Sequence, residues 1–185
     1  MLNWAQRGHV LATTTDDVVY CQVVGLANMN NSAPFEAFAR RRQDSGCREF
    51  ILDFSLCEGL DSTFLGIVLG LRLGGKPEVG HPQITAVNVS KHVLKILAEV
   101  GIDRLIQVLP DPVSLPEIPL KRLERDCSEE ERLGMILSAH ETLCDLGIEN
   151  QARFGSFVDL LRQELGQDSS IQPRPASSRS EGEGA

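Results

Sequence analysis

Aromatic residues are scarce in this chain: seven Phe, one Trp and one Tyr make up 5% of 185 residues. A core must therefore come chiefly from aliphatic side chains, and 42% apolar residues provide enough for one ordinary domain plus an extension. Long apolar runs are also lacking. The longest, Phe64 to Leu71, falls far short of the roughly 20 residues that cross a bilayer. Met1 to Asp17 has no basic flank leading into an apolar stretch and a small-residue cleavage site, so neither a membrane span nor a secretory leader is expected and the protein reads as cytoplasmic. The five cysteines, Cys21, Cys47, Cys57, Cys127 and Cys144, are an odd number with neither CxxC nor Cys/His ligand spacing. That excludes a disulfide framework and a zinc site and leaves reduced thiols. Positive charge is in short supply too, with 18 Lys/Arg against 26 Asp/Glu and a net charge of −8. The imbalance lies in the C-terminal part: residues 1 to 110 hold ten Lys/Arg against eleven Asp/Glu, residues 111 to 185 eight against fifteen. Nucleic acid is not an expected partner, since its binding draws on basic surface.

What is present centres on Cys57 to Leu73, CEGLDSTFLGIVLGLRL, where an acidic, hydroxyl-bearing turn runs into an apolar helix. Asp61, Ser62 and Thr63 are each suited to cap that helix, because short polar side chains accept bonds from unpaired first-turn N–H groups. Phe64, Leu65, Ile67, Val68, Leu69 and Leu71 leave no polar face before Arg72, so the helix must be covered on most sides. Gly66 and Gly70 share a face with Ser62, a spacing that points to close backbone packing.

On either side of this segment the chain alternates. His9 to Thr15 and Val18 to Val24 read as a β-hairpin turning at Asp16-Asp17. Asn30, Asn31, Ser32 and Pro34 open a helix that Gly46 stops, and Arg40 to Arg42 in its last turns read as a solvated end facing the helix dipole. Glu49 to Phe54 is a strand. After the central helix, which ends near Gly74-Gly75, Ile84 to Val89 is another, Ser90 caps a helix running to Gly101, and Leu105 to Val108 is a last short strand. Gly74-Gly75-Lys76 follows a helix rather than a strand and lacks P-loop spacing, so nucleotide binding there is not expected. The order ββαβαβαβ implies an α/β domain whose later strands run parallel beside the initial hairpin.

The strand ending at Asp53, followed by Asp61-Ser62-Thr63-Phe64-Leu65-Gly66 at a helix start, resembles the signature of the STAS family, the domain of anti-sigma factor antagonists. There a hydrophobic strand ends in Asp and a short loop leads to Asp-Ser-Ser/Thr-Gly-Leu-Gly. Phe64 departs from the usual glycine, which implies a different pocket for the partner. The resemblance spans roughly residues 8 to 110. It implies a STAS-like mixed β-sheet layered against α-helices. It also implies a phosphorylation site at Ser62, with Thr63 as the alternative, and a serine-kinase anti-sigma factor as protein partner. Asp53, Glu58, Asp61, Ser62, Thr63 and Phe64 would form the partner-binding edge. Phosphate adds about −1.5 to −2 charges, which a helix N-terminus tolerates but an acidic partner does not. On local sequence alone, Ser62 reads equally as a simple cap.

Beyond the STAS-like domain (1–110), Pro110, Pro112, Pro116 and Pro119 mark a stiff connector over 111–127. Ser128-Glu129-Glu130-Glu131 is a capping-box pattern that opens a C-terminal helical hairpin over 128–166. Its apolar faces, Leu133 to Cys144 and Phe154 to Leu165, must dock on the sheet domain or on a second copy of the chain as a homodimer. His140 lies on the first of these faces and reads as a packed core histidine. Residues 167–185 have the composition of a disordered tail. No catalytic constellation, metal site or cofactor motif is expected. The acidic cluster Asp53, Glu58 and Asp61 fails as a receiver-type phosphoacceptor site, because paired acids after a first parallel strand are missing. The expected function is a phosphorylation-switched anti-sigma factor antagonist acting in signal transduction and transcription regulation. One alternative is an unphosphorylated STAS scaffold, such as a subunit of a lipid-transport complex. A second is a small acidic-site phosphohydrolase.

Overall fold

A computed structural model describes residues 8–74 and 80–166. The tail expected over 167–185 lies outside the described residues, as do Gly75 and Lys76. Strands β1 (His9–Thr15) and β2 (Val18–Ala27) form the expected hairpin, with Asp16 and Asp17 both at positive φ (51° and 65°), as a two-residue turn between twisted strands requires. Helix α1 (Met29–Asp44) leads to β3 (Glu49–Leu60), α2 (Ser62–Leu73), β4 (Gln83–Val87), α3 (Lys91–Glu99), a 3₁₀ turn at Ile102–Arg104 and β5 (Gln107–Val108). Strands β2 to β5 are mutually parallel. The α/β order and the mixed sheet layered against helices are those expected from the sequence.

Each crossover moves one strand in the same direction, β2 to β3 to β4 to β5, so right-handed connections put α1, α2 and α3 on one face of the sheet. The burial pattern agrees: alternate residues of β2, Val19, Cys21 and Val23, are buried, and those between them are half-covered. That face, with Phe50, Leu52 and Phe54 of β3, carries the core.

Two differences from the sequence reading, and one of the outcomes it left open, matter for the site. Strand β3 does not end at Asp53 but continues to Leu60, kept beside β2 by two register irregularities, so Asp53 lies within the strand at the level where β4 stops. The proline-bearing connector contributes a strand, β6 (Lys121–Arg122), antiparallel to β1; the sheet is six-stranded, β5-β4-β3-β2-β1-β6. No run of strand-forming residues advertises it, because a two-residue edge strand needs none. The expected C-terminal hairpin, α4 (Glu129–Cys144) and α5 (Ile148–Glu164), docks through α4 on α2 of the same chain, while Phe157 and Leu160 of its second apolar face stay partly exposed. Met135, Ile136, Leu137, Ala139, Leu143, Val158 and Leu161 are continuous with the sheet core. Arg162 grips Glu141 through both Nε and Nη2, and Asn150 and Arg153 donate to the carbonyls of Val100 and Glu99 at the end of α3.

Helices α2 and α4 meet backbone to backbone at Gly66, where an added Cβ would sit 2.2 Å from the carbonyl oxygen of Ala139. Only a residue without a side chain allows α4 so near. At Gly70, one turn on, the nearest atom would be Thr142 Oγ1 at 3.9 Å.

Candidate functional site

The mouth of α2 is built around Asp61. Of the three residues able to cap this helix, Asp61 does so: its Oδ1 accepts from Phe64 N at 2.9 Å. Its Oδ2 accepts from Met29 N, the first residue of α1, at 2.8 Å. One carboxylate thus serves the N-termini of two helices, where anionic groups are stabilised. Burial pushes the Asp61 carboxyl above its ordinary value, against the opposing pull of the Phe64 and Met29 amides and of His140. The cap of α1 itself is Asn28, in a reciprocal box with Asn31, two residues ahead of the start inferred from sequence.

With capping assigned to Asp61, the Ser62 hydroxyl is left to bond elsewhere. Ser62 is half-buried, and its Oγ lies 2.8 Å from Nε2 of His140 on α4, 78 positions along the chain. The other ring nitrogen, Nδ1, is 2.8 Å from the carbonyl of Ile136. A carbonyl only accepts, so in the neutral ring the proton is on Nδ1, Nε2 is the acceptor, and Ser62 donates. His140 is 3% exposed and walled by Phe154 and Phe157, whose rings meet it edge-on at 5.6 and 4.8 Å. It is indeed a packed core histidine, as its place in the helical pattern indicates. Its pairing with Ser62 has no local sequence signal.

The remaining residues of the expected edge divide sharply. Thr63 is buried at 3% exposure, which leaves Ser62 as the accessible hydroxyl of the pair. Phe64, expected to touch a partner, is fully buried and stacked on Phe35 at 4.9 Å; it supports the mouth from within. Asp53 is likewise withdrawn, at 3% exposure. Its carboxylate accepts from Gln22 Nε2, Ser55 N, Ser55 Oγ and Asn88 Nδ2 at 2.8 to 3.0 Å. Burial alone would raise its pKa, but the Asn88, Ser55 and Gln22 donors outweigh it and hold the carboxyl below its ordinary value. Asn88, at φ 56°, also exchanges two bonds with the backbone of Val113 and so ties the connector to Asp53. Glu58 alone of the acidic residues beside the mouth is exposed. Asp53, Glu58 and Asp61 do not converge on a common point, and no metal-holding group of side chains occurs among the described residues.

Beside Asp61 lies a concavity of about 360 Å³, lined by Leu26, Met29, Leu60 and Ile96 with Glu58 and His92 at its rim. Cys57 nearby has its thiol pushed up to about 11 by burial. Among the described residues no helix is long and apolar enough to cross a membrane.

No family model and no curated protein matches the chain. Among solved structures it is similar to an anti-sigma factor antagonist from Mycobacterium paratuberculosis, at 19% identity over 56% of this chain and 86% of that one, with a TM-score of 0.47. It is also similar to the anti-sigma factor antagonist SpoIIAA in its unphosphorylated form, at 20% identity over 55% of this chain and 87% of that one, again with a TM-score of 0.47.

Proposed function

We propose that this chain is a non-catalytic signalling protein of the anti-sigma factor antagonist kind. Its Ser62 edge docks a serine-kinase anti-sigma factor and is released when Ser62 is phosphorylated. The observation that carries the reading is the division of labour at the mouth: Asp61 caps the helix, Thr63 is buried, and Ser62 is left half-open at the first turn of an otherwise buried helix. A phosphate there adds about −1.5 to −2 charges. The helix N-terminus accommodates it, while Asp61 and exposed Glu58 make the docking surface more negative and repel an acidic partner. The apolar concavity next to Asp61 offers that partner a place to bury side chains.

Pull-down with wild-type, Ser62→Ala and Ser62→Asp baits tests the reading. A kinase partner retained by the first two and lost from the third supports it, and equal retention by all three refutes it. The scaffold reading draws on a different surface, the outer side of α5, where Phe157 and Leu160 are 41% and 58% exposed. A scaffold partner would be lost on Leu160→Glu and indifferent to both Ser62 variants. The phosphohydrolase reading finds little support, because the Asp53 and Asp61 carboxylates are already committed to protein donors.

A further inference from the structure

The imidazole facing Ser62 plays no part in a switch that works by charge alone. We propose that Ser62 and His140 form a nucleophile and base pair, in which His140 Nε2 takes the Ser62 proton as the hydroxyl attacks phosphorus. The proposal rests on reading Ser62 as the phosphoryl acceptor and names a second residue of this chain in that modification.

Three features support it. The hydrogen bond is already polarised in the required direction, since the Ile136 carbonyl fixes the proton on Nδ1 and leaves the Nε2 lone pair on the Ser62 hydroxyl at 2.8 Å. A nucleophile, a base within hydrogen-bond reach and a third group orienting the base make the arrangement that activates hydroxyls. The base also cannot drift. Phe154 and Phe157 hold the ring edge-on, and Ala139, its neighbour in sequence, is locked against Gly66. Finally, the imidazolium that forms lies within the field of the Asp61 carboxylate, the charged group coupled to the ring from the α2 side, while Phe154 and Phe157 on the α5 side are neutral. On α4, the next carboxylate, Glu141, is turned to Arg162.

In the step itself, Ser62 Oγ forms a bond to the terminal phosphorus of a nucleoside triphosphate held by the kinase. The bond from that phosphorus to the bridging oxygen breaks, the nucleoside diphosphate leaves, and the proton passes from Oγ to Nε2. The product is a phosphoserine beside an imidazolium. His140 then donates from both nitrogens, to Ile136 and to the phosphate, so no polar group is stranded. The hairpin therefore need not open. Opening it would expose Met135, Ile136, Leu137, Leu143, Val158 and Leu161, all buried.

The pair is testable without the kinase. A small dialkyl phosphorofluoridate reacts by the same displacement, with the Oγ–P bond forming, P–F breaking, fluoride leaving and the proton going to Nε2. Applied to the full chain at neutral pH and followed by peptide mass spectrometry, it should modify Ser62 in the wild type and leave Ser62→Ala unmodified at that peptide. His140→Gln keeps an acceptor oxygen for the hydroxyl but takes no proton, so Ser62 modification should slow by about a hundredfold or more. The wild-type rate should rise with pH through one ionisation and then level off, as neutral imidazole requires. Direct serine ionisation would keep climbing. Absence of a Ser62 adduct, a His140→Gln rate equal to wild type, or a profile that climbs without levelling overturns the proposal. Should His140→Gln fail to fold, the wild-type profile decides. Partner capture by the Ser62 variants is a separate measurement, so the pair can fail while the docking reading stands, and the reverse.

Discussion

Gly66→Ala and Gly70→Ala make the same chemical change four residues apart on one helix face, and the structure assigns them opposite signs. An alanine Cβ at 66 would lie 2.2 Å from the Ala139 carbonyl oxygen and 2.8 Å from its Cα, backbone atoms that no rotamer change can move. Relief requires α2 and α4 to part by about 1 Å, a gap that forfeits a quarter to a half of the dispersion energy of each contact across it. Overpacking of this kind costs about 1 to 3 kcal/mol, and the upper end applies where backbone blocks backbone. Better helix propensity returns about 1 kcal/mol, leaving a net loss of about 2 kcal/mol. At 70 the new methyl meets only Thr142 Oγ1 at 3.9 Å, ordinary contact, so the propensity gain of about 0.5 to 1 kcal/mol remains. For a chain of this size each kcal/mol moves the melting midpoint by about 2 to 4 °C. Thermal melts should therefore show Gly66→Ala about 4 to 8 °C below wild type and Gly70→Ala about 1 to 4 °C above it. The same parting draws His140 away from Ser62, so Gly66→Ala should also slow Ser62 modification by the phosphorofluoridate. A Gly66→Ala protein that melts at or above wild type, or a Gly70→Ala protein that falls with it, would refute the packing argument.

Other perturbations have equally definite signs. Ser62→Ala removes a hydrogen bond to buried His140 but no helix cap, so urea titration should show a loss of about 1 kcal/mol, and Asp61→Ala, which removes the cap of α2 and the acceptor of the first amide of α1, about 2 kcal/mol. The Asp53 carboxyl is held below its ordinary value when folded, so it stabilises the protein above the unfolded value of about 3.9, and that contribution is lost as pH falls through the folded value. Asp53→Asn should accordingly flatten the acid limb of the stability curve there, and an unchanged limb would count against the network. Leu143→Ala, at a fully buried position of the C-terminal hairpin, should cost about 2 to 5 kcal/mol in the same assay, whereas a detachable hairpin would leave the main transition unmoved. With its thiol near 11, Cys57 is about 0.1% thiolate at pH 8 and should react with a disulfide reagent far more slowly in the native protein than after unfolding.

The sheet domain was legible because local signals and topology agree at nearly every element. Asp16-Asp17 marks the turn, Ser90 the cap of α3 and Ser128 with Glu131 the capping box of α4, and each does so in the fold. Apolar periodicity likewise identified the C-terminal hairpin and its need for cover. The site was legible only to the limit of local information. Three adjacent residues able to cap one helix look alike in sequence, and partners distant along the chain separate them: Met29 N meets Asp61, His140 meets Ser62, and Thr63 is buried. Phe64 reads from sequence as part of the partner-binding edge, yet its large ring is buried and stacked on Phe35 of α1. His140 reaches Ser62 because Gly66 lets two backbones meet, a tertiary event that shows in sequence as nothing more than a glycine. Asn88 and β6 are silent for the same reason, since each is defined by a partner distant along the chain.

The two ends of the sheet bear on how this molecule keeps company. Strand β5 is two residues long and runs toward Pro110, while β6 is two residues long, carries Lys121 and Arg122, and follows Pro119. Neither offers the row of free amides and carbonyls from which sheets grow by adding strands, and a pair of cations on an outer strand discourages neighbours of the same kind. A visiting protein meets side chains rather than a backbone template, and recognition falls to shape and charge at the helical surface. Such contacts are made and broken by changing a few groups, whereas a shared ladder of backbone bonds would have to be unzipped residue by residue. The release proposed for phosphorylated Ser62 is better served by the former.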